Sequence, residues 1–297
     1  MLEIPAQFKL RHASLAHCSA PAHHSRGADV CPAACHNAAV LPLRTIRVTR
    51  YVTPLREGGS LPAIVEADDD GLYVVKFRGA GQGPQALVAE LISGEIARAL
   101  GLPMPELVFA ELDPDLARTE PDPEIHALIH DSAGLNLAID YLPGSVTYDP
   151  VVQPPPADLA SRIVWFDAYV SNVDRTVRNT NMLVWHRRIW LIDHGATLYF
   201  HHSPGWENDG ARPRAGFPVI KDHVLLRHAS LLDQVDSALT TVLSAEVLEG
   251  VVASIPDAWL TDRSSLAPPA ARAAYLRYLM ERLSPPRRFV EEARGAR

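Results

Sequence analysis

Lysine is nearly absent from this chain: Lys9, Lys76 and Lys221 are the whole complement among 28 basic residues in a length of 297. With a formal net charge of −7 and scattered arginines, the composition excludes a general nucleic-acid binder, which needs clustered cations to displace counterions. Cysteine is scarce too. Cys18, Cys31 and Cys35 are odd in number and lie near the start of the chain, so no disulfide framework supports its body and a reducing, cytoplasmic setting fits. Long apolar runs are also missing, which argues against a signal peptide, a bilayer-spanning helix and stable membrane association. Hydrophobic residues still make up 47%, enough for one large core or two smaller ones packed together.

Residues 1–42, rich in Ala, His, Pro and Ser without strand or helix periodicity, read as a disordered leader. Its His17, Cys18, His23, His24, Cys31, Cys35 and His36 match no closed zinc pattern, so a floppy extension is the preferred reading. From Arg44 the pattern changes. Ile46 to Val52, Ala63 to Ala67 and Leu72 to Phe77 read as three strands of an antiparallel meander, with Gly58, Gly59 and Ser60 in the first turn and Asp68 to Gly71 in the second. An amphipathic helix is predicted over Pro84–Leu100, burying Leu87, Leu91, Ile92, Ile96 and Ala99 and ending at Gly101. Strands follow at Leu107–Leu112 and Leu135–Leu142, with a short helix between them. Beyond the proline-rich residues 150–157 the chain reads as helix over Leu159–Val170, a hairpin over Met182–Ile192 turning at His186 and Arg187, and mostly helix from about residue 222. The expectation is an α+β, two-lobed fold: a β-rich lobe over 43–142, then a mainly helical lobe over 143–297.

The chemistry concentrates in Ser171-Asn172-Val173-Asp174-Arg175-Thr176-Val177-Arg178-Asn179 and, after the hairpin, Leu191-Ile192-Asp193-His194-Gly195. A hairpin returns the chain to its starting end, so Asn179 and Asp193 are expected to converge, with Asp174 in the loop beside them. A carboxylate to position a hydroxyl and hard oxygen donors for Mg²⁺ are what phosphoryl transfer requires. Asp, four residues, Asn, then a hairpin and Asp-x-Gly is the spacing of a protein-kinase catalytic loop and metal-binding turn. Lys76 stands on the otherwise apolar strand Leu72-Tyr73-Val74-Val75-Lys76-Phe77. A cation there needs a carboxylate partner, for which Glu90 on the following helix is the first choice and Glu95 the reserve, and the pair would hold ATP phosphates. Gly58, Gly59 and Ser60 could bring backbone N–H groups toward phosphate, although an ordinary hairpin turn explains them equally well. Asp140, Tyr141 and Leu142 occupy the link between the lobes, where backbone would face the adenine.

Asn172-Val173-Asp174-Arg175, Asn179-Thr180-Asn181-Met182-Leu183 and Leu191-Ile192-Asp193-His194-Gly195 together resemble the HipA-like kinases. Within the loop alone, Asp174, Arg175 and Asn179 also resemble the phosphatidylinositol 3/4-kinases. The HipA-like resemblance covers about residues 44–297, with Val75-Lys76-Phe77 as the nucleotide lysine strand and Asp140 to Gly144 as the interlobe link. It implies ATP-dependent phosphorylation of serine or threonine, with Asp174 as catalytic base, Asn179 and Asp193 as magnesium ligands, and Arg178 facing the transferred phosphate. The chain departs from ordinary protein kinases at Asn172-Val173-Asp174, in place of His-Arg-Asp, and at His194, in place of Phe. It also lacks the extra amino-terminal subdomain of toxin-type members, so a toxin role is not implied.

The expected partners are therefore ATP and a phosphoacceptor, a protein hydroxyl first. A small-molecule or lipid kinase and a nucleotide-binding pseudokinase are the alternatives. A metal hydrolase built on Asp193, His194, His201 and His202 is disfavoured, because adjacent histidines in a strand point to opposite faces. Tyr199 and Phe200 are expected to pack inward there.

Overall fold

The computed structural model describes residues 42–55, 61–261 and 266–297. Gly58, Gly59, Ser60 and the His/Cys-bearing leader lie outside the described residues. Strands β1 (Thr45–Pro54), β2 (Ala63–Ala67) and β3 (Leu72–Lys76) form the expected antiparallel meander. At the tight turn between β2 and β3, Asp70 takes a left-handed backbone and the Asp69 carboxylate accepts the Gly71 N–H at 3.0 Å. β3 then pairs antiparallel with β5 (Gly134–Asp140), and β5 with β4 (Leu107–Leu112). The sheet closes where the start of β1 runs parallel to β4, setting Thr45, Ile46 and Arg47 beside Phe109, Ala110 and Glu111. The meander read from the sequence is thus three strands of a closed five-stranded barrel.

Period-two alternation divides the strand residues between two cores. Val48, Val65, Tyr73, Val75, Val108, Ala110 and Ala138 fill the barrel together with Ile125 and Ile129 of helix α2 (Pro123–Asp131). Their neighbours Val74, Leu107, Leu137 and Ile139 point the other way, into the core built by the helices. Lys76 shares the parity of Val74 and so leaves the barrel on that outer face. Helix α1 (Pro84–Ala99) packs against this face and is buried almost all round, which explains why Glu90, Ser93 and Glu95 are buried along with its leucines. A glycine inside a helix costs about 1 kcal/mol relative to alanine. Gly94 is accommodated because any Cβ there would collide with the Leu107 side chain, so its absence lets α1 approach β4.

Strand β6 (Val146–Thr147) precedes helix α3 (Ala157–Tyr169), and after the loop that follows α3 it pairs with β7 (Met182–Trp185), which pairs with β8 (Arg188–Leu191), in a three-stranded sheet. His186 and Arg187 both have positive φ, the backbone a two-residue hairpin turn demands, so the turn falls where the sequence places it. Residues 199–228 run as short 3₁₀ turns. Helices α4 (Leu232–Val242), α5 (Ala245–Ala253), α6 (Asp257–Thr261), α7 (Pro268–Leu283) and α8 (Arg288–Ala296) complete a mixed α/β structure in which a β-rich part precedes a mainly helical one. Trp165 of α3 stacks on Tyr169 and meets Phe289 of α8 edge-on, tying α3 to the last helix. Among the described residues no helix is long and apolar enough to cross a membrane.

Candidate active site

The outer face of the barrel, the loop after α3 and the hairpin enclose one cavity of about 1450 Å³. Val74, Lys76 and Ile139 form its barrel wall, and Asn179, Asn181, Met182 and Asp193 its opposite wall. Lys76 Nζ lies 2.6 Å from Glu90 Oε2 and 2.5 Å from Asp193 Oδ1. The cation expected to need a partner has two. Burial opposes charge on Lys76, yet the Asp193 and Glu90 carboxylates outweigh it and raise its pKa well above the usual lysine value. Burial likewise pushes the Glu90 carboxyl up, but the Lys76 ammonium and the His194 contacts overcome it and hold the group at about 2.

Glu90, 1% exposed, also accepts the His194 backbone N–H at 2.6 Å. Helix α1 is therefore fastened to the Asp193-His194 turn by one carboxylate oxygen. A second fastening lies a turn further on, where Ser93 Oγ and Thr197 Oγ1 meet at 2.6 Å in a fully buried contact. His194, standing where phenylalanine is customary, packs edge-on against Phe166 with ring centroids 5.6 Å apart. Glu95, the reserve partner for Lys76, instead pairs with Arg98 one turn along the same helix.

Asp174 is half-buried beside two residues that line the cavity. Its Oδ2 accepts Asn179 Nδ2 at 2.6 Å and Asn181 Nδ2 at 3.2 Å. The hairpin joins Asn181, rather than Asn179, to the far strand: Ile192 N–H donates to the Asn181 carbonyl at 3.0 Å, and Asn181 Nδ2 reaches the Asp193 carbonyl at 3.5 Å. Asn181 and Asp193 both hold left-handed backbones, which Asn and Asp tolerate better than other side-chain-bearing residues. Asn181 went unnoticed in the sequence reading, although Asn179-Thr180-Asn181 places two amides two residues apart.

The loop is anchored from below by a buried charge network that the sequence reading also missed. Asp167, on the otherwise apolar last turns of α3, accepts Arg175 Nε at 2.6 Å, His223 Nε2 at 2.9 Å and Asn172 Nδ2 at 2.7 Å. Burial raises the Asp167 pKa, but Arg175 and His223 together bring it far below the usual carboxylate range. His223 Nδ1 accepts the Leu225 N–H at 3.0 Å, so Nε2 is the nitrogen that donates to Asp167. Arg175 passes the constraint on by donating to the Asn181 carbonyl.

Asp140, Tyr141 and Leu142 line the cavity at the end of β5, but the Asp140 and Tyr141 N–H groups are already donated to the Glu106 and Leu72 carbonyls at 2.9 and 3.0 Å. Arg178 is exposed at the cavity mouth. The histidines weighed as metal ligands sit in a 3₁₀ turn, not a strand: His201 Nδ1 meets Tyr275 Oη at 3.0 Å and His202 Nδ1 meets Gln85 Oε1 at 3.1 Å. Phe200 packs inward as expected, whereas Tyr199 is 48% exposed because the 3₁₀ turn rotates it away from the core.

Comparison with known proteins bears on this arrangement. A family model described as HipA-like kinase matches residues 48–287. The chain belongs to the HipA-like kinase family. This kinase is accordingly a phosphotransferase. No curated protein matches it. Solved structures similar to it include the Helicobacter pylori proinflammatory kinase CtkA, at 12% identity over 86% of this chain and 96% of that one, with a TM-score of 0.44. The Golgi casein kinase with Mn/ADP bound is similar at 12% identity over 86% and 74%, with a TM-score of 0.43.

Proposed function

We propose that the cavity binds ATP with a divalent cation, magnesium first, and transfers the γ-phosphoryl group to a hydroxyl, most simply a serine or threonine of a protein. Lys76 Nζ between Glu90 and Asp193 is the observation that carries this reading. A buried ammonium held by a helix carboxylate on one side and a cavity carboxylate on the other is positioned to meet phosphate oxygens, and it would exchange Asp193 for them. The barrel (43–142) and the helical part (143–297) would then be the two lobes, with Asp140 to Leu142 beside the base of the nucleotide.

Among the described residues there is no group of three His, Cys, Asp or Glu side chains that could hold a metal. Magnesium dehydrates reluctantly and takes one or two carboxylates plus substrate phosphates. Asp193, with its side chain 47% exposed, and the amide oxygens of Asn179 or Asn181 are the donors that fit. When bound, the cation supplies charge neutralisation at the β- and γ-phosphates. Asp174 orients the acceptor hydroxyl and takes its proton as the new P–O bond forms and the bond to the β-phosphate oxygen breaks. Asn179 and Asn181, through their bonds to Asp174, fix the carboxylate for that task.

With labelled ATP and Mg²⁺, the purified protein should phosphorylate itself or a lysate protein, and Asp174→Ala and Asp193→Asn should each lose on the order of 10²–10³ in rate. Thermal stabilisation by Mg-ATP with no transfer above the Asp174→Ala background would overturn the activity and leave a nucleotide-binding pseudokinase.

A further inference from the structure

The two ends of the cavity differ in how their charge is balanced. At the Lys76 end every charged group has a partner. At the mouth, Arg178 on the loop and Lys221 and Arg227 on the segment after the hairpin line the same cavity, all three exposed. Among the described residues none of them is paired with a carboxylate; the one polar partner recorded is neutral, Arg227 Nε against His228 Nε2 at 3.0 Å. A backbone bridge from Thr176 to His223 and the Val224 N–H to the Arg175 carbonyl at 3.2 Å hold the two segments side by side, so the cations share one rim. Three aspartates also line the cavity. Asp193 is bound to Lys76, Asp140 ends β5, and Asp149 caps the Val151 N–H at 2.8 Å.

The same rim carries the most exposed large apolar side chains among the described residues: Val152 at 81%, Val177 at 78% and Val151 at 73%. Val151 and Val177 line the cavity directly. Three uncompensated cations on a chain of net charge −7, beside solvent-facing valines, form a surface complementary to an acidic, partly apolar polypeptide. A small phosphorylated metabolite fits less well, because small-ligand sites bury most of the ligand within their walls and these cations stand in water. A membrane surface fits less well too, since valines are short and no Trp, Phe or Leu anchor accompanies them among the most exposed residues.

We infer that the rim formed by Arg178, Lys221, Arg227, Val151 and Val177 selects the phosphoacceptor, and that the acceptor is a peptide segment with Asp or Glu flanking its serine or threonine. This deepens the proposed kinase reading and rests on it.

The test uses the full chain and synthetic fluorescent peptides carrying one serine flanked by Glu, by Ala or by Lys, with binding measured by anisotropy beside a non-hydrolysable ATP analogue and Mg²⁺, and transfer measured with ATP. The Glu-flanked peptide should bind on the order of 10-fold more tightly than the Lys-flanked one, lose that advantage as salt rises, and be phosphorylated with the higher kcat/KM. The double variant Lys221→Glu/Arg227→Glu should invert the preference while its affinity for the ATP analogue stays within about 2-fold. Equal binding of the three peptides, an unchanged preference in the double variant, or stronger binding to vesicles containing anionic lipid would overturn the inference. Failure of the ATP analogue to bind at all would instead overturn the nucleotide site, and peptide preference would still be read from anisotropy.

Discussion

One end of the cavity is electrically closed and the other open. At the closed end Lys76, Glu90 and Asp193 neutralise one another at hydrogen-bond distance, and the same carboxylate that holds the lysine pins α1 to the Asp193-His194 turn. At the open end Arg178 and Lys221 have no counter-charge among the described residues and lean into water. Charge that is satisfied internally serves geometry; charge left over serves recognition. The first kind is expensive to disturb, because a buried ion stripped of its partner keeps its desolvation cost, whereas an exposed one is simply solvated.

That contrast can be broken from the closed end. Lys76→Met should lower unfolding free energy by about 3 kcal/mol, read from chemical denaturation, because Glu90 is left buried and unpaired. Adding Glu90→Gln should recover part of the loss, and full additivity of the two changes would show that the residues do not act as a pair.

Acid offers a milder break at the same place. The Glu90 carboxyl sits near 2 in the folded protein against 4.5 as its ordinary value, so its contribution is fully present above pH 4.5 and declines as pH falls toward 2. Urea midpoints measured from pH 6 to pH 3 should fall in the parent and fall less in Glu90→Gln. Asp167, also depressed, adds to the decline in both proteins, so the difference between the two curves reports Glu90.

At the open end the smallest effect is expected. Lys221→Ala should change unfolding free energy by less than about 0.5 kcal/mol, since it removes no recorded contact. A loss several times larger would mean that Lys221 is a structural residue.

Much of this was legible in the sequence, and the reasons are local. Strands 63–67, 72–76 and 107–112 announce themselves by alternation and turn residues, and the hairpin by its two-residue turn, all of which depend on neighbours in the chain. The Lys76–Glu90 pair was legible because a lone cation on an apolar strand must be answered by the next available carboxylate. Barrel closure was not, since the parallel pairing of β1 with β4 is made by backbone atoms of residues some sixty positions apart and leaves no mark on side-chain order. Nor was the link from Asn181 to the far hairpin strand, which turns on left-handed backbone in a loop without periodicity. Asp167, Arg175 and His223 were separately visible as polar residues, but three polar groups on three segments acquire meaning only when the fold brings them together.

The pairing that shuts the barrel also fixes an order of events in time. β1 leaves the ribosome first of the five strands, yet the flank of its opening residues that faces β4 has no partner until the chain has been made through Glu111. Until then one flank of β1 is an exposed edge available to any passing strand, and the barrel wall of the cavity, to which β3 and β5 contribute, is incomplete. The wall that carries Lys76 is therefore finished only after two strand contacts of more than sixty residues' separation, β1 with β4 and β3 with β5, have formed.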